Sequence, residues 1–124
     1  LGGAQIHTRR SGVVDNVAED EHDAFRQIRR FLSYLPASVW EMPPRGDATD
    51  PVTRREDALL SVVPRDRRQV YDAHRILDAV LDRDSFFEIA PRYGAARITG
   101  LGRINGHPVG VMANNPRQKG GTTD

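Results

Sequence analysis

The hydrophobic positions of this chain fall into a few short patterns separated by breakers. From about Glu19 to Leu35, residues Ala24, Phe25, Ile28, Phe31, Leu32 and Leu35 recur at three- and four-residue spacing, which predicts an amphipathic helix with one buried side. Its charges agree: Glu19, Asp20, Glu21 and Asp23 come early and Arg26, Arg29 and Arg30 late, as the helix macrodipole favours. Upstream, Leu1 to about Ala18 reads as loop, broken by Gly2-Gly3 and Ser11-Gly12, with Val13-Val14 as a candidate short strand. Downstream, Pro36 stops the helix, and Pro43, Pro44, Gly46 and Pro51 among charged residues mark an extended connection. The run Leu59 to Pro64 is too brief to classify. Asp66 is then placed to cap a helix reaching about Leu81, with Val70, Ala73, His74, Leu77 and Leu81 on one stripe. Ser85-Phe86-Phe87-Glu88 has capping-box spacing and predicts a short helix ending by Gly94.

The strongest local signal is Asn105-Gly106. A type I′ turn needs positive φ at both central positions, and Asn and Gly reach it at low cost. Counting outward pairs Ile104 with His107, Gly102 with Val109, Gly100 with Val111 and Ile98 with Ala113. Two glycines then leave room for two valines on one face. Pro108 falls opposite Arg103 at a non-hydrogen-bonded pair, where its missing N–H costs little.

The stretch from Gly100-Leu101-Gly102-Arg103-Ile104-Asn105-Gly106 through Asn114-Asn115-Pro116 also resembles the start of the C-terminal domain of the biotin-dependent acyl-CoA carboxyltransferases, the β subunits of propionyl-CoA and acetyl-CoA carboxylases. Leu1-Gly2-Gly3, His7-Thr8 and Ser11-Gly12-Val13 resemble that family's late N-domain motif, and Phe31 to Pro36 the helix end that closes the domain. Asp84 to Ile89, Pro91 and Tyr93 resemble the opening of the C-domain. Gly102 stands where the family commonly has Ala, and Asn115 where it commonly has Gln.

The resemblance implies an α/β, crotonase-like fold present only in part. It places residues 1–44 as the tail of an N-terminal carboxyltransferase domain, 45–65 as interdomain linker and 66–124 as the start of a C-terminal domain. The implied parent is an enzyme moving carboxylate from carboxybiotin to the α-carbon of a short acyl-CoA, propionyl-CoA or acetyl-CoA. Biotin would arrive on a separate carrier, and the partners would be the biotin carboxyl carrier, biotin carboxylase and further copies of the subunit in a hexamer, with active sites formed between domains of different subunits. Such transfer passes through enolate and ureido anions, which need preorganised N–H donors. The family supplies these from Gly-Gly and Gly-Ala pairs at two helix starts, neither of which is in this sequence, so no catalytic residue is expected here and the chain alone is expected to be inactive. A methylmalonyl-CoA or malonyl-CoA decarboxylase, or a transcarboxylase, would use the same scaffold. A non-catalytic interaction module is the alternative from another class.

Composition narrows the field. At 124 residues with 38% hydrophobic content, an independent core would be thin unless a partner covers it. The chain opens on Leu1 without Met and ends in Gly120-Gly121-Thr122-Thr123-Asp124, and is expected to be an internal piece of a longer protein. There is no cysteine, hence no disulfide or thiolate metal site in these residues. No run of about 18 apolar residues suits a membrane span, and a cytoplasmic location is the expectation. The 18 basic residues, all arginine but Lys119, face 17 acidic ones for a net charge of +1. The two signs are interleaved, so a nucleic-acid partner is not expected.

Candidate chemistry concentrates near the N-terminus. Gly2 and Gly3 allow close backbone approach, and His7, Thr8 and Ser11 are suited to donate hydrogen bonds to a carbonyl, a ureido group or a thioester. Arg9 and Arg10 are candidate holders of CoA phosphates, and with Gly12 this loop, Gly2, Gly3, His7, Arg9, Arg10, Ser11 and Gly12, is the expected substrate-binding set. Arg65, Arg67 and Arg68 flank Asp66 and read as a solvated face or an ion-pair set. His22 and His74 lack partners at metal-ligand spacing, so no bound metal is expected; His74 is assigned to a buried stripe with one ring nitrogen bonded, and His107 to a strand start.

Overall fold

The computed structural model describes residues 2–66 and 68–122. At its centre is an antiparallel sheet in the order β1-β2-β3, with β1 at Phe87–Ile89, β2 at Arg97–Ile104 and β3 at His107–Asn114. The β2–β3 register is the expected one: Ile104 faces His107, Arg103 faces Pro108, Gly102 faces Val109, Gly100 faces Val111 and Ile98 faces Ala113. Asn105 and Gly106 carry φ of 50° and 77°, as the two-residue turn demands.

The glycines serve a different neighbour from the one expected. Alternation puts Ile98, Gly100 and Gly102 on the buried face of β2, with Ile98 only 1% exposed. A Cβ on Gly102 would lie 2.8 Å from Leu81 Cδ1, and one on Gly100 would press on the Phe86 ring and the Phe87 carbonyl. The bare strand thus seats Leu81 and Phe86 from the layer above, rather than making room for Val109 and Val111. The core around it is small: among the described residues Tyr34, Val62, Ala73, Leu81 and Ile98 are the buried hydrophobic residues, and Thr8 and Ser85 are buried polar ones.

Helix α1, Ala4–Ile6, runs directly into a π-helical turn, His7–Ser11. The expected loop is therefore helical over Ala4 to Ser11, because Gly2-Gly3 and Gly12 bound a one-to-two-turn helix instead of breaking the whole segment. Gly12, at φ 63°, is its left-handed terminator. Val13-Val14 forms no strand, and Val13 is exposed.

Helix α2 spans Glu21–Leu32, capped by Asp20, whose side chain accepts from the Asp23 N–H at 2.7 Å. Asp23 reaches back to the Glu19 N–H, takes an ion pair from Arg26 at 2.9 Å and a bond from Gln27, and these donors hold its carboxyl below the usual carboxylate range. The expected buried side is split. Phe31 meets Phe87 with ring centres 6.2 Å apart and Tyr34 is buried, yet Phe25, Ile28 and Leu32 remain 54%, 54% and 56% exposed.

Residues 36–58 hold no regular element, but the segment is not a free linker. Arg54, nearly buried, pairs with Asp50 at 2.9 Å and Glu56 at 2.8 Å and donates to the Leu81 carbonyl at 2.7 Å, while Asp50 also accepts the Arg83 N–H. Helix α3, Leu59–Val62, follows inside the span expected to be linker.

One expected helix starts later than the spacing predicts, ending at Val80 as expected, and another is replaced by a strand. Helix α4 is Ala73–Val80, capped by Asp72, whose Oδ1 accepts the His74 N–H at 3.1 Å; Asp66 instead closes a turn through the Arg68 N–H. Both aspartates suit a cap, but Val70 and Tyr71 between them lie outside any helix, so the helix begins after the second. The segment after Ser85 is strand β1, with Phe87 opposite Leu101 and Ile89 opposite Thr99. Ser85 Oγ, the expected cap, accepts the Arg103 N–H at 3.1 Å, and Glu88 points to His74. A one-turn helix carries its whole nucleation cost, whereas the open edge of β2 offers ladder bonds at once.

Candidate functional site

The N-terminal helical turn carries the expected binding set in one short segment. The Gly3 carbonyl accepts the N–H groups of Ile6 and His7, which starts the turn, and Gly2 sits at φ 91° with no spare room beside His7 Nε2. His7 Nδ1 lies 3.2 Å from Ser11 Oγ. Arg9 and Arg10 are exposed at the end of the π turn and make no ion pair among the described residues. Through residue 14 the sequence has no Asp or Glu, so His7, Arg9 and Arg10 face solvent without a compensating acid in their own segment. A π turn is uncommon and is frequently found at functional sites.

Thr8 is the exception. It is fully buried, and its hydroxyl donates to the Ala4 carbonyl at 2.6 Å, so it serves the turn and has no donor left for a ligand. Two contacts tie the turn to the sheet end of the chain: Tyr93 packs flat against Gly12, where a Cβ would sit 2.7 Å from the ring, and Arg92 donates to Gln5 Oε1 at 3.3 Å. Asn16, just beyond, donates to the Glu88 carbonyl at 2.9 Å and accepts the Ala90 N–H at 3.1 Å, so its amide continues the edge of β1.

A second cluster was missed by sequence reasoning. His74 Nδ1 meets Asp72 Oδ1 at 3.2 Å and Nε2 meets Glu88 Oε2 at 2.9 Å, while Arg117 pairs with Asp72 Oδ2 at 3.0 Å. Both ring nitrogens are engaged, not one, and the side chain is still 37% exposed. Burial disfavours the imidazolium, but Glu88 and then Asp72 outweigh it and raise the His74 pKa above its ordinary 6.5. Burial likewise works against the Asp72 carboxylate, and the His74 N–H, the His74 ring and Arg117 prevail and lower its pKa. The Asp72-x-His74 spacing is visible in the sequence; Glu88 is not, because Ser85 and Glu88 also have the spacing of a capping box.

Among the described residues no group of three His, Cys, Asp or Glu side chains is arranged to hold a metal, and no helix is long and apolar enough to cross a membrane. His22 and His107 are exposed. Arg65 and Arg68 are exposed beside Asp66, and Arg67 lies outside the described residues, as do Leu1, Thr123 and Asp124.

Residues 1–124 match the family of the carboxyl transferase domain. Over 124 residues the chain is 43% identical to the propionyl-CoA carboxylase carboxyltransferase subunit of Haloferax mediterranei, covering all of this chain and 24% of that protein. It is 36% identical to the methylmalonyl-CoA decarboxylase subunit alpha of Veillonella parvula, again over the whole chain and 24% of the relative. It superposes on the crystal structure of transcarboxylase 12S, a hexamer with methylmalonyl-CoA and methylmalonic acid bound, with a TM-score of 0.91 at 30% identity, covering 98% of this chain and 23% of that one. The chain spans about a quarter of the length of these relatives.

Proposed function

This chain belongs to the carboxyl transferase domain family, with part of a crotonase-like fold, and from that premise we propose that it serves in a subunit that transfers carboxylate between carboxybiotin and the α-carbon of a short acyl-CoA. The observation that carries this reading is the superposition of nearly the whole chain on a transcarboxylase that binds methylmalonyl-CoA. Propionyl-CoA or acetyl-CoA is the proposed acceptor, supported by the 43% identity to a propionyl-CoA carboxylase subunit. In this reading residues 1–44 are the tail of the first domain, 45–65 the linker and 66–124 the opening of the second. The hexamer, the biotin carrier, the biotin carboxylase partner and a cytoplasmic location belong to the same reading.

Carboxybiotin, delivered on its carrier, would supply the carboxyl group. The donor set at the N-terminal turn fits either reactant: His7 and Ser11 offer hydrogen bonds to a ureido or thioester carbonyl, and the uncompensated Arg9 and Arg10 offer a fork to CoA phosphates. Their role is to bind and orient. The stabilisation of developing anions is assigned to helix starts outside these residues, where losing one donor costs about 10²–10³ in rate.

A second reading, a decarboxylase or transcarboxylase on the same scaffold, is favoured by the Veillonella parvula relative. The full-length subunit, assayed with a biotin carrier and labelled carboxyl donor, is expected to label propionyl-CoA or acetyl-CoA. Release of carbon dioxide from methylmalonyl-CoA without net labelling would establish the decarboxylase, and passage of its carboxyl group to a second acyl acceptor the transcarboxylase. A folded, oligomeric protein doing neither would make it a non-catalytic module.

A further inference from the structure

The N-terminal turn is gripped near both ends by one short segment, the end of β1 and the residues after it. Near its start, Gln5 Oε1 accepts from Arg92 at 3.3 Å. At its close, the Tyr93 ring covers Gly12, the left-handed terminator, so closely that a Cβ there would lie 2.7 Å from a ring carbon. Just beyond, the Asn16 amide accepts the Ala90 N–H and donates to the Glu88 carbonyl. Ala90 stands at φ 53° and its carbonyl accepts the Tyr93 N–H at 3.1 Å, a tight bend that carries Arg92 and Tyr93 to the turn. Tyr93 is 47% exposed, so the ring rests on the turn and contributes little to the core.

A helical stretch as short as Ala4 to Ser11 is marginal in water by itself, because nucleation fixes several dihedrals for the first hydrogen bond. Its order depends on what it packs against. A ligand that needs His7, Arg9 and Arg10 together is bound only by the fraction of molecules whose turn is formed, and its apparent dissociation constant rises as that fraction falls. Gly12 comes two residues after Arg10, so release of the ring loosens the end of the turn that carries the arginines.

We propose that Tyr93, helped by Arg92, is a positioning residue for the N-terminal turn, keeping it formed so that Arg9 and Arg10 receive the phosphates of the acyl-CoA. This rests on the reading above in which the turn binds CoA. It concerns one reactant only: the turn is backed by its own chain, and its exposed side remains open to whatever a neighbouring subunit presents. Loss of the ring weakens CoA and raises KM. The turnover number at saturating acyl-CoA is unchanged, because bound ligand selects the formed turn.

The test uses the full-length hexamer, with free CoA as the probe in equilibrium titration and amide exchange followed over residues 6–14. Tyr93→Ala removes the ring and Tyr93→Phe keeps it, while Arg92→Ala, at an exposed position, loosens only the other end. Tyr93→Ala is expected to raise the CoA dissociation constant and KM about tenfold at constant kcat, with faster exchange from His7 to Val14. Arg92→Ala is expected to shift both constants in the same direction by less, and Tyr93→Phe to bind as the wild type does. Wild-type affinity for CoA in Tyr93→Ala overturns the proposal, as does a fall in kcat at constant KM or an equal loss in Tyr93→Phe. Should Tyr93→Ala assemble poorly, Arg92→Ala decides, and wild-type affinity and exchange there overturn it. The double variant Arg9→Gln with Arg10→Gln separates the proposal from the reading beneath it. Normal CoA binding by that variant removes the turn as the CoA site, and both fall; weak binding there beside normal binding in Tyr93→Ala removes the positioning role alone.

Discussion

The hairpin tip and the N-terminal turn are both short and both depend on glycine, yet they are built on opposite terms. At the tip nearly every polar group is spoken for: Asp82 takes the N–H groups of Asn105 and Gly106 on its two oxygens at 2.9 and 2.6 Å, Arg45 binds the Asn105 carbonyl and side chain, and Gly46 and Arg103 share the Gly106 carbonyl. At the N-terminal turn the candidate residues bond only at short range, His7 with Ser11 and Thr8 with Ala4, while Gln5 takes the one distant donor among the described residues, Arg92, and Arg9 and Arg10 are exposed. A polar group whose partners are all internal holds shape, whereas one without internal partners is available to a ligand. His74 lies between the two cases, doubly bonded and still in contact with solvent.

The largest expected effect is at the tip. Gly106→Val would force a β-branched residue to φ 77° and drive its Cβ to 2.5 Å from the Gly46 carbonyl oxygen. Strain at such a φ costs on the order of 1–3 kcal/mol, and the rigid backbone opposite cannot yield as a side-chain end would. In the full-length subunit, melting temperature and hexamer content should fall before any change in turnover per assembled enzyme. Wild-type melting and assembly with lost turnover would reverse the comparison and make the tip a reacting surface.

The same contrast explains what was legible in the sequence. Turn type and β2–β3 register follow from neighbouring residues, so Asn105-Gly106 fixed both. Strand β1 was misread because Ser85 and Glu88 satisfy a capping box locally, while their actual partners, Arg103 and His74, lie 18 and 14 residues away. Asp66 and Asp72 are equal as caps until it is known that Val70 and Tyr71 are not helical. The glycines around residues 4–11 looked like breakers because a helix this short leaves no periodicity to detect. The turn holds His7, Arg9, Arg10 and Ser11 of the expected binding set in one segment; Thr8, also a candidate donor, is not told apart from them by sequence, since its burial depends on contacts the local pattern does not encode.

A smaller effect is expected at the Asp72–His74–Glu88 cluster. The His74 pKa is raised on folding, so its contribution to stability is complete below about pH 6.5, the unfolded value, and is lost as pH rises through the higher folded value. Asp72 has a lowered pKa, so its part is present above its ordinary 3.8 and is lost as pH falls through the lower folded value. The combined benefit peaks in the mildly acidic range. With the imidazole 37% exposed, solvent screens the pair and the effect stays small. The melting temperature of the wild type relative to His74→Gln should therefore be highest near pH 6 and should converge toward pH 9, by about 1 °C or a little more. A gap that widens with rising pH would show that the neutral imidazole is the form the fold selects.

The smallest structural effect, and the one that tests the open side of the comparison, is His7→Ala. His7 is exposed, and its side chain bonds only to Ser11 in the same turn, so removing it takes no contact from the core. Stability should change by no more than about 0.5 kcal/mol, the usual range for a surface position. If the N-terminal turn orients a reactant, the full-length variant should nonetheless lose turnover or bind the acyl-CoA more weakly, with melting and hexamer content unchanged. The direction of the kinetic change then separates the two jobs open to the side chain. A raised KM alone means that His7 holds substrate equally in the ground and transition states. A fall in kcat at constant KM means that its bond strengthens as the reaction proceeds. Unchanged kinetics would leave His7 as the partner of Ser11 alone, and loss of rate together with the hexamer would move it to a subunit interface. Only a kinetic defect in an intact assembly supports the distinction between a turn whose bonds are closed and one left open for a ligand.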